Sequence, residues 1–200
     1  MVIFSCSLAS ARDYICYIIE DAYAYQQQPD NTFNRTWHEV WDAPGYKRMA
    51  FFKFDFPRIG KDEEIESITF TIQNYVSGDH DDVDEHFIYY CKNNNWSEET
   101  LTWNNAPIND IGNEEVGSHE MGIKGWVTFN ITKLKEEVKP GSTVSLVMIQ
   151  DNNSYSLPWT AWYSKEVDWA IPYITIKTKS GNETVVESSG GKIKGKIIEQ

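Results

Sequence analysis

Apolar residues in this chain recur at every second position, segment after segment. Between Met49 and Phe56 the side chains of Ala50, Phe52, Phe54 and Phe56 share one parity, while Lys53 and Asp55 take the other. An extended backbone turns successive side chains to opposite faces, so this pattern specifies a half-buried strand. Glu66 to Ile72 repeats it, with Ile68, Phe70 and Ile72 inward and Ser67, Thr69 and Thr71 outward. Further strands are predicted over His86–Cys91, Trp126–Ile131, Thr143–Gln150, Trp159–Ser164 and Tyr173–Lys177, with another within Ile15–Tyr25. Asp42-Ala43-Pro44-Gly45, Ser77-Gly78-Asp79, Ala106-Pro107, Pro140-Gly141 and Asp151-Asn152-Asn153 supply turns between the runs. Only Thr132 to Val138 reads as a short helix, with Lys133 and Glu137 spaced as an i,i+4 ion pair. Many short strands separated by turns predict an all-β fold, an antiparallel β-sandwich with one short helix. Its expected core is Phe52, Phe54, Ile68, Phe70, Ile72, Val127, Phe129, Leu146 and Ile174.

The alternation sets the domain limits. Residues 12–179 form the expected sandwich. Residues 1–11, MVIFSCSLASA, are apolar and end in a small-x-small pattern, which reads as the remnant of a secretory signal. After Lys179 no aromatic residue occurs, and Ser188-Ser189-Gly190-Gly191 resembles a flexible joint. Residues 180–200 are therefore expected to be a flexible or strand-donating tail, since Lys192 to Ile198 alternates again.

Composition narrows the function. Lys+Arg 18 against Asp+Glu 30 leaves a net charge of -12, which repels phosphate backbones and anionic lipid. No apolar run is long enough to span a bilayer. Nucleic-acid binding and membrane insertion are thus not expected. Five N-x-S/T sequons, at Asn34, Asn95, Asn130, Asn152 and Asn182, favour a secreted, glycosylated protein. Cleavage after Ala11 would leave Cys16 and Cys91, an even pair open to one disulfide outside the cell; two free cysteines are the other reading.

Three segments carry a family resemblance. They are Glu20-Asp21-Ala22-Tyr23-Ala24-Tyr25 with Pro29-Asp30-Asn31-Thr32, then Gly45-Tyr46-Lys47-Arg48 running into Phe51-Phe52-Lys53-Phe54-Asp55, and above all Trp96-Ser97-Glu98-Glu99-Thr100-Leu101-Thr102-Trp103-Asn104-Asn105-Ala106-Pro107. Together they resemble the DNRLRE domain, which is related to carbohydrate-binding module family 96 and to disaggregatase-related domains. The likeness runs from about Ile18 to Thr178. It implies a jelly-roll sandwich that is extracellular and has no catalysis of its own, with some members binding acidic polysaccharides. Within it Trp96, Trp103 and Trp126 are expected to be core or loop anchors, and Asn104 and Asn105 to bond their own loop.

Trp37, Trp41, Trp159 and Trp169, with Tyr155 as a weaker companion, lie where that pattern is loose. An exposed indole offers a flat apolar face to the C–H side of a sugar and an N–H donor, so these are the candidate carbohydrate-binding residues. Asp79, Asp81, Asp82 and Asp84 crowd hard oxygens into a turn, which suits Ca²⁺ as readily as solvent. Glu20 and Asp21 are a second calcium candidate, by analogy with the termini of similar modules. No nucleophile elbow, zincin motif or phosphate loop occurs, and no enzyme is expected. The expected function is non-catalytic contact with polysaccharide at the cell surface. The alternative is a self-assembling subunit of an extracellular filament, sheath or surface layer, joined to copies of itself by strand addition.

Overall fold

A computed structural model describes residues 11–76, 84–121, 125–151, 160–180, 185–188 and 191–194. The strands are β1 (Asp13–Tyr25), β2 (Trp37–Val40), β3 (Arg48–Asp55), β4 (Glu63–Val76), β5 (Asp84–Cys91), β6 (Ile111–Met121), β7 (Gly125–Asn130), β8 (Thr143–Asp151), β9 (Thr160–Tyr163), β10 (Tyr173–Ser180), β11 (Val185–Ser188) and β12 (Gly191–Lys194). All described pairings are antiparallel.

Two sheets share β1. Its first half, Asp13 to Tyr17, pairs with β10, and its second half, Ile18 to Tyr25, pairs with β3 across a bulge between Ile18 and Glu20. The extra residue bends the strand and lets it pass from one sheet to the other. The first sheet runs β2-β9-β4-β10-β1, with β7 on the opposite edge of β4 from β10, and the second runs β1-β3-β8-β5-β6. The expected sandwich is therefore present. All nine predicted core residues lie in the apolar cluster between the sheets. Phe52 meets Phe70 at 5.1 Å between ring centroids, and Phe70 stacks on Phe129 at 6.1 Å.

A second cluster seals the outer face of the second sheet. Ala22, Ala24, Met49, Phe51, Cys91 and Val147 pack under Trp96 and Leu101, with Trp103, Ala106 and Ile108 against them. Trp96, Leu101, Trp103 and Ala106 belong to the W-S-E-E-T-L-T-W-N-N-A-P segment and Ile108 directly follows it, so the segment is a lid on the sheet. β3 is consequently buried on both faces rather than half-buried as alternation predicts. Lys53 goes inside with it: its Nζ bonds Glu20 Oε1 at 3.0 Å and the Trp96 carbonyl, and lies 4.4 Å from the Trp96 ring centroid. The lid is tied internally by Asn105, which accepts from Thr102 N–H at 2.7 Å and donates to the Thr100 carbonyl at 2.8 Å. Asn104 instead donates outward, to Asp30 Oδ1 at 2.7 Å.

Other expectations need correction. The helix is a 3₁₀ turn, Thr132–Glu136, and Lys133 pairs with Glu115 at 3.1 Å rather than with Glu137. A 3₁₀ turn does not bring positions i and i+4 together. Cys16 and Cys91 are free thiols: Cys16 packs against the core between the sheets, while Cys91 belongs to the cluster beneath the lid. Different layers hold them, so no disulfide joins them. Burial raises the pKa of both thiols, most simply because a thiolate would lose its water. In the tail, Gly191–Lys194 pairs with Val185–Ser188, and Ser188 stands opposite Gly191. Ser189 and Gly190 of the expected joint lie outside the described residues. The expected signal remnant lies, apart from Ala11, outside the described residues.

Candidate functional site

With one sheet lidded, the outer face of the other is the open one. Parity assigns its side chains. On β4, Phe70, Ile72 and Asn74 are buried, which sends Thr71, Gln73 and Tyr75 outward. On β9 Trp162 is in the core, so Tyr163 faces out; on β2 His38 and Val40 are buried, so Trp37 and Glu39 face out. Trp37 and Tyr163 are register partners.

These positions bring four aromatic rings together. Trp37 lies 6.1 Å from Tyr75, Tyr75 lies 5.0 Å from Tyr163, and Tyr163 lies 4.7 Å from Trp169, edge to face. Trp169 is 65% exposed and Tyr75 46%, so two of the four present most of one face to solvent. Trp37 is braced by its Nε1–H to Glu39 Oε1 at 3.4 Å, and Glu39 in turn pairs with Arg48 at 2.8 Å.

The loop bearing Trp169 is anchored by a network of acids and one lysine. Lys165 N–H donates to Asp21 Oδ2 at 2.8 Å, and Lys165 Nζ bonds Glu98 at 3.0 Å and also Glu166. Asp21 N–H donates to Glu98 Oε2 at 3.0 Å, and Asp21 Oδ1 lies 3.2 Å from His38 Nε2. Burial alone would lower the Lys165 pKa, but its bonds to Glu166 and Glu98 outweigh that and raise it above the ordinary lysine value. Within the loop, Val167 N–H and Ala170 N–H bond back to Ser164 and Val167 carbonyls.

Asp21, Glu98 and Glu166 place ligand oxygens within 4.8 Å of one another, the best metal-like group among the described residues. Cationic and N–H groups of the chain already bond these carboxylates. The Lys165 ammonium already bonds two of these carboxylates, and Glu20 accepts from Lys53 and from Glu98 N–H. Glu20 thus pairs with the Lys53 ammonium, and Asp21 accepts from the Lys165 backbone N–H.

Of the five sequence-based sugar contacts, Trp37 and Trp169 join the ring cluster. Trp41 does not: it packs on Tyr46 at 5.5 Å with the Arg48 guanidinium 5.3 Å from its ring centroid. Tyr155 and Trp159 lie outside the described residues, as do Asp79, Asp81, Asp82, Asn152 and Asn182. Asp84 begins β5, and its side chain is outside the described set. Asn34, Asn95 and Asn130 are exposed. Sequence reasoning missed Tyr75 and Tyr163, although the parity of β4 and β9 marks both as outward.

A comparison with family models decides the wider class: the model for carbohydrate-binding module family 96 matches residues 16–178. The chain belongs to that family. No curated protein matches it in sequence. The matched span runs from Cys16 in β1 to Thr178 in β10 and so takes in both the lidded sheet and the open aromatic face of this chain. The family is a carbohydrate-binding, generally non-catalytic one. No helix among the described residues is long and apolar enough to cross a membrane.

Proposed function

We propose that this domain is a non-catalytic extracellular module that holds polysaccharide against Trp37, Tyr75, Tyr163 and Trp169. The observation that carries this reading is the asymmetry of the sandwich. One outer face is sealed by the Trp96–Pro107 lid, and the other leaves a run of rings in mutual contact and open to solvent. Rings of this kind shield the C–H faces of sugars, while their polar tips are the partners for hydroxyls. Exposed sequons at Asn34 and Asn95 and the family's usual setting support secretion. Strand-donating self-assembly has less support, because Gly191–Lys194 already pairs with β11.

Affinity electrophoresis through gels containing a panel of polysaccharides tests the reading. Trp169→Ala is expected to weaken retention about tenfold, equivalent to about 1.4 kcal/mol, with an unchanged melting temperature because the ring is mostly in solvent. Trp37→Ala should weaken it comparably. Unaltered retention in both variants would remove the platform.

Calcium is a separate proposal, resting on the acidic run of Asp79, Asp81, Asp82 and Asp84 in the sequence. An ion bound only to the folded state raises stability by mass action. EDTA is then expected to lower the melting temperature; an unchanged melting curve would leave that run to solvent.

A further inference from the structure

A second set of rings occupies the same face, further along β4. Trp126 and Tyr173 stand on the two strands flanking β4, with ring centroids 6.2 Å apart, above a nearly buried Thr71. Around them the register defines a grid. Tyr17, Tyr173, Thr71 and Thr128 form one row, Ile15, Thr175, Thr69 and Asn130 the next, and Gln73 lies opposite Trp126. Trp126 is 50% exposed and Tyr17 59%. The Thr71 and Thr128 hydroxyls bond each other at 3.0 Å, and Gln73 Oε1 is buried without a protein partner. Trp126 is thus a surface ring, not the anchor expected from the family pattern.

None of these ten positions is charged. A chain that is 24% charged would place two or three charges on ten positions. Charges begin at the edges of the grid: Asp13 faces Lys177 in the next row, and at the far end Glu39 is neutralised by Arg48. A carboxylated polysaccharide drawn to this face would meet a protein of net charge -12 and find no cation on the grid to replace its water. A neutral one loses nothing of that kind. Its C–H faces meet the rings, and its hydroxyls meet Thr, Gln and Asn groups that donate and accept.

Tyr75, Gln73 and Thr71 succeed one another on the outer side of β4, so along the strand Trp126, opposite Gln73, stands roughly 7 Å from Tyr75, and Tyr173, opposite Thr71, roughly 13 Å. The rings in each set are tilted, by 54° for Trp126 and Tyr173 and by 69° for Tyr163 and Trp169. Tilted rings cannot all lie flush on a flat crystalline surface, whereas a single twisting chain can meet them in turn. We infer that the face binds one extended chain of an uncharged polysaccharide, with Trp126 and Tyr173 as its second contact. This rests on the platform reading above and adds the ligand's charge and span.

The test is affinity electrophoresis of the whole chain in galactomannan, hydroxyethylcellulose, soluble β-1,3-glucan, alginate and polygalacturonate, at low and high salt. Expected is retention by at least one neutral polymer, insensitive to salt, and weakened at least tenfold in Trp126→Ala. Melting curves of Trp126→Ala and Tyr173→Phe check that the sheet is intact. If Trp169→Ala releases the polymer but Trp126→Ala binds like the parent, the second contact is overturned while the platform stands. If retention occurs only with alginate or polygalacturonate and fades with salt, the uncharged ligand is overturned. If neither tryptophan matters, both readings fall together.

Discussion

Trp162→Ala is expected to cost about 3–5 kcal/mol of unfolding free energy, as removal of a large core aromatic does, and to lower the melting temperature on the order of 10 °C. The residue immediately precedes Tyr163, yet the pleat sends it the other way. Its indole is fully buried, lies 5.3 Å from the His86 ring and 5.9 Å from Phe129, and so joins β9 to both β5 and β7. Its backbone register with His38 on one side and Asn74 on the other makes β9 the link between β2 and β4. A cavity here would loosen the strand that carries Tyr163. Urea titration checks the expectation, with Tyr163→Ala as the comparison. That outward substitution should cost much less stability while weakening polysaccharide retention. A loss below about 1 kcal/mol for Trp162→Ala would mean that the indole is not a packing element.

The contrast between Trp162 and Tyr163 also shows what is legible in the sequence. Period two identifies β3, β4, β7, β8 and β10, and every residue named for the core is in it, because burying one face of a sheet is a local constraint written along each strand. β6 leaves no such mark. Its residues Ile111-Gly112-Asn113-Glu114-Glu115-Val116-Gly117-Ser118-His119-Glu120-Met121 are mostly polar, and one glycine is there for backbone proximity rather than for pattern. A Cβ on Gly117 would stand 2.2 Å from the Asn130 carbonyl oxygen, so only glycine lets β6 pass β7 that closely. β2 is four residues long and too short for alternation to register. The lid, the lysine within the Asp21–Glu98–Glu166 group and the separation of Cys16 from Cys91 are long-range facts. They depend on which loop covers which face. The exposed rings fall between these cases: Tyr75 follows from parity, but the meeting of Trp126 with Tyr173 across β4 requires the register.

Acidification should destabilise the domain above the range in which most carboxylates titrate, and His86 is the reason. Its imidazole is wholly buried, with Nε2 2.7 Å from the Thr160 hydroxyl and Nδ1 without a partner. Gln150, its register partner on β8, is also buried and has no partner for its amide, and among the described residues no carboxylate bonds the ring. Burial, with a smaller repulsion from His119, pushes the His86 pKa down from 6.5 to about 3. The unfolded chain then binds a proton below about pH 6.5 that the folded chain refuses until about pH 3. Stability is complete above pH 6.5 and falls as pH drops through that window. Between pH 6.5 and 4.5 the loss from this group is on the order of 2 kcal/mol. His86→Gln keeps a side chain able to bond Thr160 but cannot titrate. Its unfolding free energy is expected to start lower at pH 7.5, because the new amide is packed less well, and then to decline less steeply than the parent's down to pH 4.5. Equal slopes in the two proteins, measured by urea denaturation at half-unit intervals, would show that protons enter elsewhere.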